Sequence, residues 1–272
     1  MSMFSNDVLD GQAFSGSVYD AAYDVPNVPA SVGQGRIPTL GQMARFRDGR
    51  TFRFCRAGGT VTIGDLVCAV PNEANIVAGE FGVDGSTAPA AGEGGGVGDT
   101  SIRLSDAITG QTVNEYAGGF LNITDATGEG QQRKIKSNQV SGGTGGHLCE
   151  LYDGLTTALD NTSVGTMINH ECDGVVVHTA ADYGNTPTQY CVGSAVVAAT
   201  SGQYFWVQTY GTALVQAGVA TFIAGGKVQL AEDDNGSGQI PVTHEHKVQT
   251  LGIALEAAAD TVWGPVFLNI CP

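Results

Sequence analysis

Between residues 45 and 270 the chain never sustains apolar residues at helical spacing. Short apolar or alternating runs are instead cut by glycine, asparagine or aspartate every roughly ten positions. That rhythm belongs to small β-sandwiches and barrels, where strands are short and each turn needs a residue that tolerates unusual backbone angles. RFRDGRTFRFCRAGGTVTIGDLVCAV reads as a strand, an Asp-Gly turn, a second strand, a Gly-Gly turn and a third strand. Further strands are expected in SIRLSD, GGFLNITD, GQQRKIKSN, HLCELYD, TSVGTMIN and GVVVH. A later group lies in CVGSAVVAAT, YFWVQTYG, TALVQA, ATFIAGGKVQL, TLGIALEAA and TVWGPVFLNI. LEAAAD (255–260) offers at most one helical turn. The 40 glycines among 272 residues, about twice the usual ~7%, supply the turns.

Residues 1–40 show no helix or strand period. They scatter Phe4, Val8, Phe14, Val18, Tyr19, Tyr23 and Val25 among Asp, Asn, Ser, Gly and Pro, the spacing either of an arm laid along another subunit or of a plain floppy terminus. Residues 73–97 are Gly/Ala-rich and read as a linker. TFRFCRAGGTVTIGDLV and YFWVQTYGTALVQAG echo each other, too weakly to establish a repeat. The echo does pair 41–72 with 186–272 in one discontinuous, barrel-like body, leaving 98–185 as an inserted β module. The expected fold class is all-β, with two β-sandwich or barrel-like modules and an extended N-terminal arm. Within the body, QYFWVQTYGTALV (203–215) reads as a beam rather than a ligand site. Tyr204 and Trp206 lie on one face, Phe205 and Val207 on the other, and both faces are covered.

The net charge of −15 repels phosphate backbones, so no nucleic-acid partner is expected. No run of 18 apolar residues marks a membrane helix, and MSMFSNDVLDGQ has neither the basic start nor the apolar core of a signal peptide. Cysteines at 55, 68, 149, 172, 191 and 271 form no CxxC pair, so buried, reduced thiols in a protein assembled in a cytoplasm are expected. Charged residues make up only 14% against a norm of roughly 25%, consistent with a surface that partly meets protein. Arg45, Arg47, Arg50, Arg53 and Arg56 cluster in ARFRDGRTFRFCR, either to grip an acidic neighbour or as an edge strand facing solvent.

Tests for chemistry fail one by one. GGK (225–227) lacks the earlier glycine and the Ser/Thr of a P-loop, and AGEGGGVGD lacks GxGxxG spacing. His244 and His246 share one face of a strand, and Asp233 or Asp234 could complete a metal set, yet His and Asp are ordinary in an exposed hairpin. Cys172 lies two residues from His170, without an orienting third group. Asp125 and Glu129 flank an apparent hairpin turn, where acidic residues are common, rather than forming a glycosidase pair. The sequons NIT (122–124) and NTS (161–163) carry no weight without secretion. No catalytic, cofactor or metal residue is assigned, and no enzyme activity or cofactor is expected.

Four blocks in order, FRFCRAGGTVTIGDLV, YAGGFLNITDATGEGQQRKIKS, YFWVQTYGTALV and LGIALEAAADTVWGPVFLNI, resemble structural proteins of tailed-bacteriophage heads. More narrowly, they resemble head decoration, or cement, proteins, with the likeness spanning about 45–270. The resemblance implies a virion protein on the outer head surface, assembled in the host cytoplasm, that clamps neighbouring capsomers without catalysis. It implies the major capsid protein as partner and a homotrimer or other homo-oligomer. The candidate interface is Phe4, Val8, Phe14, Tyr19, Tyr23 and Val25 of the arm with Arg45, Arg47, Arg50 and Arg53. The chain departs from the small decoration proteins in its size and inserted module, and the alternative is a phage fibre or carbohydrate-recognising receptor-binding module.

Overall fold

The computed structural model describes residues 40–46, 48–69, 73–76, 80–81, 95–104, 111–139, 147–179, 189–231, 235–240 and 249–270. These are strands and turns, with no helix among them, and none forms a helix long and apolar enough to cross a membrane. In chain order the strands are β1 (Met43–Arg45), β2 (Thr51–Arg56), β3 (Leu66–Ala69), β4 (Glu73–Ile76), β5 (Ser101–Leu104), β6 (Phe120–Asp125), β7 (Gln132–Asn138) and β8 (His147–Leu151). They continue with β9 (Val164–Ile168), β10 (Val176–Val177), β11 (Tyr190–Ala195), β12 (Tyr204–Gln216), β13 (Lys227–Leu230), β14 (Gly238–Gln239), β15 (Thr250–Ala254) and β16 (Trp263–Asn269). The described residues fall into two compact units, one before Pro71 and from Glu171 onward, the other between them.

The smaller unit is a six-stranded antiparallel sheet in the order β4-β9-β6-β7-β8-β5. Alternation drives it: in β9, Gly165 and Met167 face inward while Val164, Thr166 and Ile168 are half-exposed. Ile102, Leu104, Leu121, Ile135 and Met167 fill its core. Two buried amides tie down its irregular backbone, where an unpaired polar group would be costly. Gln131 Oε1 accepts from the amides of Thr156 and Thr157 at 2.9 and 3.0 Å. Asn138 Oδ1 accepts from the amide of Tyr116 at 2.9 Å.

The larger unit is one ten-stranded antiparallel sheet, with β10-β3-β11-β12-β16-β15-β13-β14 in order, β2 on the free side of the first half of β12, and β1 beyond β2. The expected pairing of the 41–72 and 186–272 regions is present in the β2–β12 and β3–β11 ladders. Two expectations are corrected. β4 lies in the stretch read as a linker, where it pairs with β9 along four residues. The GVVVH strand joins the larger unit rather than the inserted module: β10 pairs with β3, and the buried Val175 amide donates to Arg56 O at 2.9 Å.

This sheet contains the same five-strand motif twice, but in a register other than the echo's: TFRFCR matches residues 211–216, not YFWVQT. Strands β2, β3, β10, β11 and residues 204–208 of β12 form the first copy. Residues 211–216 of β12, then β13, β14, β15 and β16 form the second. The registers coincide residue for residue: Phe54 opposes Trp206 as Leu214 opposes Pro265, and Val207 opposes Arg53 as Val266 opposes Ala213. The loops coincide too. Val61 and Ala199 exchange backbone hydrogen bonds, as do Phe222 and Ala258. The Gly64 amide donates to Ala195 O at 2.7 Å, and the Gly225 amide to Ala254 O at 2.8 Å. β11 and β15 carry a bulge at the same place, before Gly193 and Gly252. At both glycines a Cβ would lie 2.3 or 2.0 Å from a carbonyl oxygen of the next strand, Gln208 O or Phe267 O. Close approach therefore bars any side chain there. β12 closes the first copy and opens the second, which explains its 13-residue length.

Candidate functional site

In the first repeat, the outer face of β2 and β12 carries Phe52, Phe54 and Trp206, each almost fully buried. Its cover is the chain that enters at Leu40. β1 pairs with the free edge of β2 and sets Ala44 and Phe46 over this cluster. Phe46 meets Phe52 edge-on at 4.9 Å, and Phe54 lies 5.2 Å from Trp206 and 5.7 Å from Tyr204. The Arg50 guanidinium sits over the Phe46 ring at 5.5 Å. The inner residues Cys55, Phe205 and Val207 are also buried, so this half of β12 is covered on both faces.

In the second repeat, the matching outer positions are Thr212, Leu214, Trp263, Pro265 and Phe267, with Leu255 where the first has Val196. Leu214 is 60% exposed, Leu255 46%, Trp263 44% and Phe267 36%. Among the described residues no strand pairs with the side of residues 211–216 that corresponds to the β1-bearing side of β2. A groove of about 590 Å³ opens on this face, lined among others by Arg50, Ile63, Gly64, Leu214 and Trp263. The Trp263 ring lies against Gly64, where a Cβ would collide with it. An exposed apolar patch beside an open strand edge is what sheet proteins ordinarily suppress, and where it persists it marks a contact surface.

Of the sequence candidates, Arg45 is exposed on β1, Arg50 pairs with Asp48 at 2.8 Å, and Arg53 approaches Glu171 at 3.3 Å. Arg56 forms an ion pair with Asp173. Three of the five arginines are thus turned toward acidic groups of their own unit. Arg47, Phe4, Val8, Phe14, Tyr19, Tyr23 and Val25 lie outside the described residues, as do His244, His246, Asp233 and Asp234. No cluster of three or more His, Cys, Asp or Glu residues suited to a metal occurs among the described residues. His178 is buried, and its Nε2–H donates to Ala231 O at 2.8 Å.

The five described cysteines are buried thiols. Burial pushes the Cys55 and Cys191 thiols well up, each raised further by a neighbouring thiol, Cys172 and Cys68 respectively. Burial, with help from Glu150, raises Cys149 to about 12. Thiols held protonated in apolar surroundings are poor nucleophiles. His170 and Cys172 fall in different units, and Asp125 and Glu129 sit in the exposed β6–β7 turn, where Asp125 Oδ1 accepts from the Ala126 amide. What this arrangement can do is bind an extended chain by its edge and its apolar face. Sequence reasoning missed Leu214, Trp263 and Phe267 as a surface. The signal lay in TALVQ and VWGPVFLN, where apolar residues occupy both faces of strands at the end of a sheet system.

Compared with protein-family models, curated proteins and solved structures, the chain matches none of them.

Proposed function

We propose that this chain is a structural protein of a tailed-phage head, a decoration protein that binds the outer capsid surface and clamps neighbouring capsomers. The observation that carries the reading is the outer face of the second repeat. Leu214, Leu255, Trp263 and Phe267 form an apolar surface beside an open strand edge in a charge-poor chain. Such a surface gains free energy when a protein covers it, in proportion to the apolar area removed from water. The family resemblance of the four sequence blocks supplies the identity of the shell, and repetition over a lattice turns weak single contacts into durable ones.

Electron cryo-microscopy of the particle that carries this chain tests the reading. Regular density for it on the outer head surface, bridging capsomers, is the expected result, together with easier rupture of heads that lack it under osmotic shock. Density confined to the tail or its fibres overturns the reading in favour of a receptor-binding module.

A further inference from the structure

The larger unit holds two cysteines that face each other directly across a ladder, Cys68 of β3 and Cys191 of β11. We propose that they are a cross-link site: given a small-molecule disulfide such as oxidised glutathione, they close to a strand-to-strand disulfide. That bond ties the chain before the inserted unit to the chain after it.

Backbone geometry suits the pair to this. In an antiparallel strand the N–H and C=O of one residue point to the same side. Those of Cys191 are taken by a single side chain: the amide donates to Gln249 Oε1 at 2.7 Å, and the carbonyl accepts from Gln249 Nε2 at 3.1 Å. They are therefore not spent on β3, and Cys68 and Cys191 form a non-hydrogen-bonded pair. In such pairs the Cα atoms lie about 4.5 Å apart and the side chains come closest. That separation falls within the range of about 4.4–6.8 Å that disulfides span. Both thiols are buried in one apolar cluster. The Cys191 thiol donates to Gly193 O at 3.7 Å, a weak bond that is readily given up.

The second repeat shows that the shared backbone does not call for thiols here. At its matching positions, beside the same bulge, Gln229 opposes Thr250. What sets the first repeat apart is the unit inserted between its strands, which leaves Cys68 and Cys191 over a hundred residues apart in the chain. A cross-link takes most freedom from the unfolded chain when it closes a long loop. Burial slows attack while the fold is closed. The pair, however, lies one residue inside the end of its ladder, where Tyr190 and Ala69 are the last described partners, and ladder ends open most easily. One thiolate then attacks the small disulfide and expels a thiol, and the neighbouring thiolate displaces the second. One S–S bond breaks and one forms. Two electrons pass from the protein to the oxidant, and both thiol protons end on the two released small thiols. The inference stands apart from the capsid reading.

The test uses the full chain. It is unfolded, refolded in glutathione buffers of rising oxidised fraction, capped with N-ethylmaleimide and digested without reduction. A peptide pair joining Cys68 to Cys191, two hydrogens lighter than its parts, is expected in the oxidising buffers. Recovery of both cysteines capped at every ratio, bonded to glutathione, or linked to any other cysteine overturns the inference. A second readout removes the competing thiol neighbours. In Cys172→Ala, the oxidised chain should show a folded-to-unfolded ratio at least about tenfold above that of the reduced chain, measured by urea unfolding. Adding Cys191→Ala should erase that gap. No gap in the first variant, or a gap that survives in the second, also overturns it.

Discussion

The two repeats of the larger unit share a backbone but treat their outer faces differently. Phe52, Phe54 and Trp206 of the first are sealed under Ala44 and Phe46; Thr212, Leu214 and Pro265 stand at the same registers of the second, beside exposed Trp263 and Phe267. Inside, the bulky positions are exchanged too, with Phe205 and Val61 matched by Gly264 and Phe222, but the small ones are kept. Ala57, Gly64, Gly193, Ala195, Ala199 and Val207 recur as Ala217, Gly225, Gly252, Ala254, Ala258 and Val266, because the same close backbone approaches recur. Close backbone approach therefore fixes the small inner residues, while the outside is set by whether a strand such as β1 covers it.

The sharpest way to break this contrast is a matched pair of truncations read by tryptophan fluorescence, since both tryptophans lie in the larger unit. Phe54→Ala should cost about 3–5 kcal/mol of stability in denaturant unfolding. Its counterpart Leu214→Ala should change the isolated chain by less than about 0.5 kcal/mol. Equal losses would mean that the second face is already covered. Next come the inner glycines, where the repeats should behave alike: Gly193→Ala and Gly252→Ala should each cost about 1–3 kcal/mol, because the new methyl meets a backbone oxygen that cannot yield.

A finer difference lies in the turns that lead into β12 and β16. Gly202 and Thr261 are counterparts, donating to Ala57 O and Ala217 O, and both have positive φ, 85° and 61°. A β-branched residue is strained there, so Thr261→Gly should raise the thermal midpoint by about 1 kcal/mol equivalent, and Gly202→Thr should lower it by a similar amount. The smallest effect falls in the other unit. The Thr162 and then the Thr127 hydroxyl, with the Thr162 amide, hold the Asp160 carboxyl down at about 2, against 3.8 unperturbed. A depressed carboxylate contributes stability above its unfolded value and loses it as pH falls through its folded one. The protection factor of the Thr162 amide should therefore be constant above pH 4 and fall between about 4 and about 2. Asp160→Asn should remove that dependence.

Much of the architecture could be read from spacing. Alternation and glycine turns mark nearly all of the strands, since those features follow from local geometry. The repeat could not be read with the same ease, because the residues that recur are the small ones, Ala and Gly, which are common everywhere in this chain. The bulky ones differ, Phe54 against Leu214 and Trp206 against Pro265, and an inserted unit separates β3 from β10. β4 was hidden in Gly/Ala-rich surroundings because NEANI offers a single large apolar residue, Ile76. The arginine cluster looked like a patch because its partners, Glu171 and Asp173, come from over a hundred residues downstream. The open face was invisible for a different reason: exposure depends on which strand lacks a neighbour, and only the topology decides that.

The insertion itself has a practical consequence. Between β3 and β10 the chain accommodates a whole folded unit, while the matching step in the second repeat, from β13 to β14, takes only a short connection. The molecule thus carries its own proof that this junction tolerates cargo. The β13–β14 connection is accordingly a natural place to splice in a foreign domain, giving a display scaffold with two docking ports in one chain.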